Sequence, residues 1–436
     1  MRQTLSTSAD VSPLIRTVVL QPTPFCNIDC RYCYLPQRST TSVMPLATIT
    51  VAFEKIFASG WASPQLTVIW HAGEPLVLPV SYYEAAFNAI EALRPPWLEL
   101  RHSIQTNGML ISQEWCDFIR KWHIGVGVSV DGPKQLHDAN RVTRSGAGTF
   151  DRTIAGIRLL RRENIPFHVI SVLSEASMKA PEELLDFYLE EGIENVCFNV
   201  EESEGDHISS LLVSDNPRER FRSFLDRFWT LSRQTEKIHF IREIDGMITR
   251  IFRPESVCVS NDQVEPFAML NIDCHGNACS FSPELLGYKH AEYNDFTIGN
   301  IVTDSLEQMR QSQAMRAMTR DIAAGVEACR SECEYFSVCG GGAPVNKLSE
   351  NGSFATSTTS FCSLVYMAPT DLILNALDHL EQDFDKAARK FQLSGAAPFP
   401  MDRFQSAPNV APADATSRVS NMPDLQLHQI QRGSRG

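Results

Sequence analysis

The chain lacks any run approaching the roughly 18 uninterrupted apolar residues that a membrane span needs. Its opening, MRQTLSTSADVSPLIRT, has no apolar stretch like that of a secretory signal. Together these absences set the expectation of a cytoplasmic protein with no membrane partner. Positive charge is also short, with 39 Lys and Arg against 52 Asp and Glu and a net charge of -13. A broad phosphate-binding face needs the opposite balance, so no nucleic acid partner is expected. The last absence is local: PTPFCNIDCRYCYLP, residues 22–36, brings Cys26, Cys30 and Cys33 together with no fourth cysteine nearby.

What is present is enough for a full core: 436 residues, 43% of them hydrophobic, allow one large domain or two. Twelve cysteines exceed what packing requires. A reducing compartment argues against structural disulfides, so metal or cluster ligation leads. Cys116 and Cys197 stand singly in apolar patterns and read as core residues. The other cysteines bunch at 26–33, 258–279 and 329–362.

From Thr17 to about Gln234 short β-branched runs alternate with helical patterns. TVVLQPT, LTVIWHAG, HSIQTNG, GVGVSVDG, FHVISVLS and NVCFNVEE read as strands of a covered parallel sheet. Segments such as SYYEAAFNAIEALR, SQEWCDFIRKWH and PRERFRSFLDRFWTLSRQ repeat apolar residues at helical spacing. The fold class is therefore α/β, as an open doubly wound sheet or a partial (β/α)6 barrel, with the chemistry in the loops after the strands. The expected organisation is a tail over 1–16, the βα region over 17–236, a cysteine-rich domain of short irregular pieces over 237–370, a helix over 371–394 and a disordered tail over 395–436.

Thiolates bind iron-sulfur clusters and zinc, and a structural site of either kind fills all its positions. Three cysteines on one loop leave a corner open to a small-molecule ligand, as catalytic cluster chemistry requires. Zinc, with a fourth ligand from far along the chain, is the alternative.

CxxxCxxC, with Tyr32 before its last cysteine and placed after the first strand of a βα series, resembles the signature of the radical S-adenosylmethionine (SAM) enzymes. HAGEP resembles that family's Gly-Gly-Glu-Pro motif, with Gly73 and Glu74 in place and Ala72 replacing the first glycine. QTNG around Asn107, SVDGP around Ser129 and Asp131, and the following loop with Arg141 match further family marks. The resemblance spans about residues 17–365 and implies a partial barrel. It also implies a [4Fe-4S] cluster on Cys26, Cys30 and Cys33, with SAM held by Tyr32, Gly73, Glu74, Asn107, Ser129 and Arg141. In this family the cluster gives one electron to SAM, and the resulting 5'-deoxyadenosyl radical abstracts a substrate hydrogen; a flavodoxin or ferredoxin is the implied electron donor.

CRSECEYFSVCGGG followed by Cys362 resembles the SPASM extension of peptide-modifying radical SAM enzymes. Cys329, Cys333, Cys339 and Cys362 match the ligands of its outer auxiliary [4Fe-4S] cluster, with one extra residue between the first two; zinc on the same ligands is the alternative. Two ligands of the inner auxiliary cluster are missing, since Phe281 and Ala343 hold their positions. Cys258, Cys274 and Cys279 lie nearby and are the candidate ligands of an altered second auxiliary site, although their spacing does not match the family pattern.

The sulfatase-maturating branch, which makes formylglycine, places a proton-accepting Asp where this chain has Ser282, a poor base at neutral pH. FSPELLGYKHAEYNDFTIGNI and CGGGAPVNKLSENGSF instead resemble the cyclophane-forming radical SAM/SPASM peptide maturases, which crosslink an aromatic ring to the Cβ of a nearby residue in a ribosomal precursor peptide. For the proton, Glu284, Asp273 and Glu201 are candidates. The precursor's leader is expected to dock on the barrel or the cysteine-rich region. Formylglycine or thioether formation is the alternative on the same scaffold, and a degenerate cluster-stabilised binding protein is the alternative outside enzymes.

Overall fold

The computed structural model describes residues 14–35, 37–202, 209, 211–212, 215–252 and 261–377. Cys258, most of the 1–16 segment, the 378–394 part of the expected C-terminal helix and the 395–436 tail lie outside these described residues.

The six expected strands are all present: β1 Ile15–Leu20, β2 Ala62–Trp70, β3 Glu99–Thr106, β4 Gly125–Ser129, β5 Phe167–Leu173 and β6 Asn195–Val200. They pair in parallel in chain order. A short β7, Phe240–Ile241, extends the sheet beyond β6. Their continuous apolar runs are what a sheet covered on both faces demands: Val18, Leu20, Leu66, Val68, Val128 and Val169 are fully buried.

The crossovers carry helices α1 Leu46–Ala58, α2 Val80–Leu93, α3 Gln113–Trp122, α4 Lys134–Asn140, α5 Phe150–Arg162, α6 Pro181–Glu190, α7 Pro217–Thr235 and α8 Arg242–Ile251. The ends of α3 follow from its sequence. The Ser112 hydroxyl accepts from the Trp115 N–H at the start, and His123 closes the other end in the left-handed conformation with φ 51°. Because β1 to β6 are parallel, every strand-to-helix loop emerges at one end of the sheet.

Beyond residue 260 the chain adds β8 Met269–Ile272, β9 Asn277–Ser280 and β10 Gly299–Asn300 to the same sheet. β8 pairs in parallel with β1, and β9 and β10 follow antiparallel, giving a ten-stranded mixed sheet in the order β10-β9-β8-β1-β2-β3-β4-β5-β6-β7. The remaining elements are α9 Leu306–Arg310, α10 Gln313–Glu332, α11 Phe336–Cys339, α12 Pro344–Asn351 and α13 Ser360–Cys362. A π-turn over Ser363–Met367 leads from α13 into α14, Ala368–Leu377. The 20-residue α10 departs from the expectation of short irregular pieces: its Met315, Met318, Ile322 and Cys329 form a buried stripe, and Ser312 caps its start.

The 18 residues of Ser360–Leu377 have a mean hydropathy of 1.2, so this one helical stretch is long and apolar enough to cross a membrane. Leu364, Ala368, Leu372 and Ile373 within it are buried in the fold, where α14 packs on α7 and α8.

Candidate functional site

The loop after β1 is laced to its neighbours through the backbone. Asp29 and Arg31 donate their N–H groups to the carbonyls of Val142 and Asn140 at 2.7 and 3.0 Å, and Cys26 N–H reaches the Arg38 carbonyl at 3.0 Å. Arg38 and Arg144 donate in turn to the Cys30 and Cys26 carbonyls at 3.2 and 2.9 Å. On the other side Glu74 N–H binds the Phe25 carbonyl at 2.8 Å. Gly73 makes that approach possible: at φ 56° a Cβ there would lie 2.5 Å from the Phe25 oxygen and 2.6 Å from the Thr23 oxygen. Ala72 beside it takes φ 69°, so alanine here adopts a conformation that favours the glycine of the family motif.

This lacing brings the three thiols together. Burial pushes Cys26 up to about 12, and the neighbouring charges of Glu74, Cys30 and Cys33 add to it. Burial likewise pushes Cys30 up to about 11, against the pull of the Arg141 guanidinium. Yet among the described residues no three His, Cys, Asp or Glu side chains converge tightly enough for a single ion. The thiols are close enough to act on one another's charge, as the ligands of one centre would be.

Around them sits a charged cradle. Arg141 Nη2 pairs with Asp131 Oδ1 at 3.0 Å, and Tyr32 donates its hydroxyl to Asp131 Oδ2 at 2.6 Å. The Arg141 Nη1 lies 3.9 Å from Cys30 Sγ. Burial works against the Arg141 charge, but Asp131, Tyr32 and Cys30 hold it well above its ordinary value. Its Nε is buried without a hydrogen-bond partner. A guanidinium N–H orphaned beside the thiols fits an incoming carboxylate such as that of SAM.

Glu74 is 1% exposed and already engaged. Its Oε1 accepts from Leu76 N–H at 3.0 Å and Thr106 Oγ1 at 2.6 Å, and its Oε2 from Asn107 N–H at 2.7 Å. Burial raises its pKa, and these donors lower it in part. The carboxylate thus clamps the ends of β2 and β3, leaving acceptor capacity mainly on Oε2. Asn107 Nδ2 reaches Asn27 in the cysteine loop at 2.6 Å, and Ser129 Oγ accepts from Gln105 Nε2 at 3.1 Å.

The second cysteine set also comes together. Cys329 lies in the last turn of α10, Cys333 caps that helix, Cys339 ends α11, and Cys333 and Cys362 lie close enough to feel the others' charge. Burial pushes Cys339 up to about 11. The loop between α11 and α12 wraps the sulfurs, with Gly341 N–H 3.5 Å from Cys339 Sγ. Lys347 Nζ lies 3.1 Å from Cys329 Sγ. Cys274 lies in the β8–β9 turn and Cys279 within β9, and no interaction among the described residues joins them; Cys279 Sγ instead turns to the Ser280 carbonyl at 3.1 Å.

The three proton-acceptor candidates differ in setting. Asp273 is bound into its turn, one oxygen accepting from His275 and Asn277 N–H and the other from Asn277 Nδ2. Glu201 follows β6, its N–H bound to the Leu173 carbonyl at 3.1 Å. Glu284 accepts from the Ser282 hydroxyl, and burial raises its pKa against that bond. Gln21 Nε2 binds the Pro283 carbonyl at 3.1 Å, tying this segment to the end of β1. The sequence alone did not single out the seat of Lys347 or the bracing role of Asp131, because each depends on contacts between separate elements of the chain, and it named Ser282 and Glu284 without the hydrogen bond that joins them.

Residues 20–188 match the Radical SAM superfamily. An uncharacterized protein of Synechocystis sp. is 38% identical over 83% of this chain and 92% of its own length. A serine-type anaerobic sulfatase-maturating enzyme of Bacteroides thetaiotaomicron is 24% identical over 78% of this chain and 85% of its own. Among solved structures, anSMEcpe with bound AdoMet superposes with a TM-score of 0.70 at 20% identity, covering 88% of this chain and 99% of that one. Streptococcus suis SuiB bound to precursor peptide SuiA gives 0.54 at 16% identity, covering 80% and 76%. The chain belongs to the radical SAM superfamily and is an enzyme. That membership implies a [4Fe-4S] cluster and SAM, which the thiols and the Arg141 cradle fit.

Proposed function

We propose that this enzyme modifies a ribosomally made precursor peptide, joining an aromatic side chain to the Cβ of a nearby residue in a cyclophane. Cys26, Cys30 and Cys33 would hold the cluster, and Arg141 Nε, Glu74, the Gly73 backbone, Asn107, Ser129 and Tyr32 would receive SAM. Cys329, Cys333, Cys339 and Cys362 would hold an auxiliary cluster able to accept an electron. Bound together, the first cluster and SAM supply the hydrogen-abstracting radical that no side chain can provide. The protein's own part is to fix the peptide's Cβ and its ring within reach of each other and to keep water out. The substrate loses one hydrogen from Cβ and, after the C–C bond forms, one electron and one proton from the ring.

The observation that carries this reading is the Ser282–Glu284 pair. Ser282 replaces the Asp of the sulfatase branch, while Glu284, with its pKa raised by burial, is suited to take a proton from the ring carbon. SuiB, a peptide-bound structural neighbour, supports a peptide substrate. Formylglycine formation is the second reading, favoured by the Bacteroides relative.

The test is mass spectrometry of the precursor peptide encoded beside the gene, coexpressed with the enzyme or with Cys30→Ala. The expected product is lighter by two hydrogens per motif, crosslinked between an aromatic and a residue close after it, and absent with the variant. An unchanged peptide alongside an enzyme that still cleaves SAM would sink the cyclophane reading and send the search to sulfatase substrates.

A further inference from the structure

Lys347 is one of the most deeply buried charged side chains among the described residues. It sits in α12, 1% exposed, and its Nζ donates to the Gly325 carbonyl at 2.9 Å and to Cys329 Sγ at 3.1 Å. The packing that puts it there is tight. Gly325 on α10 has no room for a side chain, since a Cβ would lie 2.0 Å from the Phe354 oxygen and 3.2 Å from the ammonium itself. From the other side the Gly342 backbone closes on both the lysine stem and Cys362 Sγ; a Cβ there would stand 3.6 Å from Lys347 Cε and 3.2 Å from that sulfur.

Among the described residues no carboxylate pairs with this ammonium. A buried, unpaired ammonium is costly, because desolvation is returned only by a nearby negative charge or full hydrogen bonding. Here two acceptors are in place, a carbonyl and a sulfur. The groups around it that can carry negative charge are the cysteines, and its field also acts on Cys333 and Cys362. A four-thiolate [4Fe-4S] centre is anionic and gains one more negative charge on reduction. A cation fixed against one of its ligands stabilises the reduced form more than the oxidised form.

We propose that Lys347 is the built-in countercharge of the four-cysteine site and sets its reduction potential, holding it higher than the four thiolates alone would give. This rests on the reading of that site as a cluster. It acts as a positioning and tuning residue through Cys329, not through the substrate. A centre poised higher is a better acceptor for the electron released when a substrate ring regains aromaticity.

The test uses the full chain with Cys26, Cys30 and Cys33 all replaced by alanine, so that iron reports only on the four-cysteine site. Anaerobic reconstitution, iron and sulfide content and an EPR-monitored redox titration are compared for this parent and for its Lys347→Met and Lys347→Arg versions. The parent and the arginine version should share a midpoint, and the methionine version should keep its iron and titrate at a distinctly more negative potential. A methionine version that keeps its iron at an unchanged midpoint overturns the proposal. If methionine loses the iron and arginine keeps it, the charge is required to hold the centre and the proposal stands. Loss in both means that the site needs the shape of lysine, which overturns it. A parent that binds no iron overturns the cluster reading itself, and the proposal falls with it.

Discussion

Glu74 shows how one side chain serves both fold and site. Replacing it by alanine strips the acceptor from Leu76 N–H, Asn107 N–H and the Thr106 hydroxyl. Each buried donor so orphaned costs about 1–3 kcal/mol, and relief from burying a charge offsets part of the sum. We expect Glu74→Ala to lose about 2 kcal/mol in urea unfolding, and a loss near zero would show that the clamp is dispensable. Glu284→Gln is expected to behave differently: SAM cleavage persists while crosslinked peptide falls by roughly 100-fold, the scale of a lost general base. Equal crosslinking by the variant would remove Glu284 from the proton's path.

His102 and His137 set an acid limit. Burial lowers them to about 3 and about 4 from an ordinary 6.5, His102 while stacked on Phe87 and His137 while bonded to Thr149. Both are neutral in the fold and take up a proton on unfolding, so their contribution is complete above pH 6.5 and falls as the pH drops through the range below it. Each such group costs up to about 1.4 kcal/mol per pH unit within that window. The stability difference between pH 7.5 and 5.5 should shrink by about 1 kcal/mol in His102→Gln. An unchanged difference would mean that this imidazole is protonated in the folded chain.

At the scale of elements, the decisive contact is between two loops. Gly73→Ala would drive a methyl group into the Phe25 and Thr23 carbonyls and push the cysteine loop away from the Arg141 cradle. On the cluster assignments proposed above, the variant should lose iron at the first site and keep it at the four-cysteine site, read as iron per chain after reconstitution. Full iron in the variant would show that the loop moves freely. The cysteines, HAGEP and the six first strands were readable because each is a local pattern: a spacing, a turn residue or a continuous apolar run. β8, β9 and β10 were not, being 4, 4 and 2 residues long and held by pairing with one another and with β1. The bond from Tyr32 to Asp131 and the seat of Lys347 were unreadable for the same reason, since a contact across 99 residues leaves no periodicity behind.

At the scale of the molecule, the sheet runs without a break from β7 to β10. A fragment ending at residue 236 would keep the first cysteine loop but expose the Thr17–Leu20 edge of β1, which β8 otherwise covers. Exposed apolar strand edges pair with other chains. We therefore expect this fragment to aggregate, as followed by size-exclusion chromatography. A soluble monomer with bound iron would show that β1 to β6 are self-sufficient.

The pairing of Thr17 with Met269 also has a meaning in time. On a ribosome making roughly 5–20 residues per second, β1 emerges tens of seconds before the strand that covers it. Throughout that interval the nascent chain carries an open edge beside three unligated thiols. That edge closes only when β8 arrives, so the order of synthesis, and not only the final fold, sets how long the cysteine loop stands on an incomplete sheet.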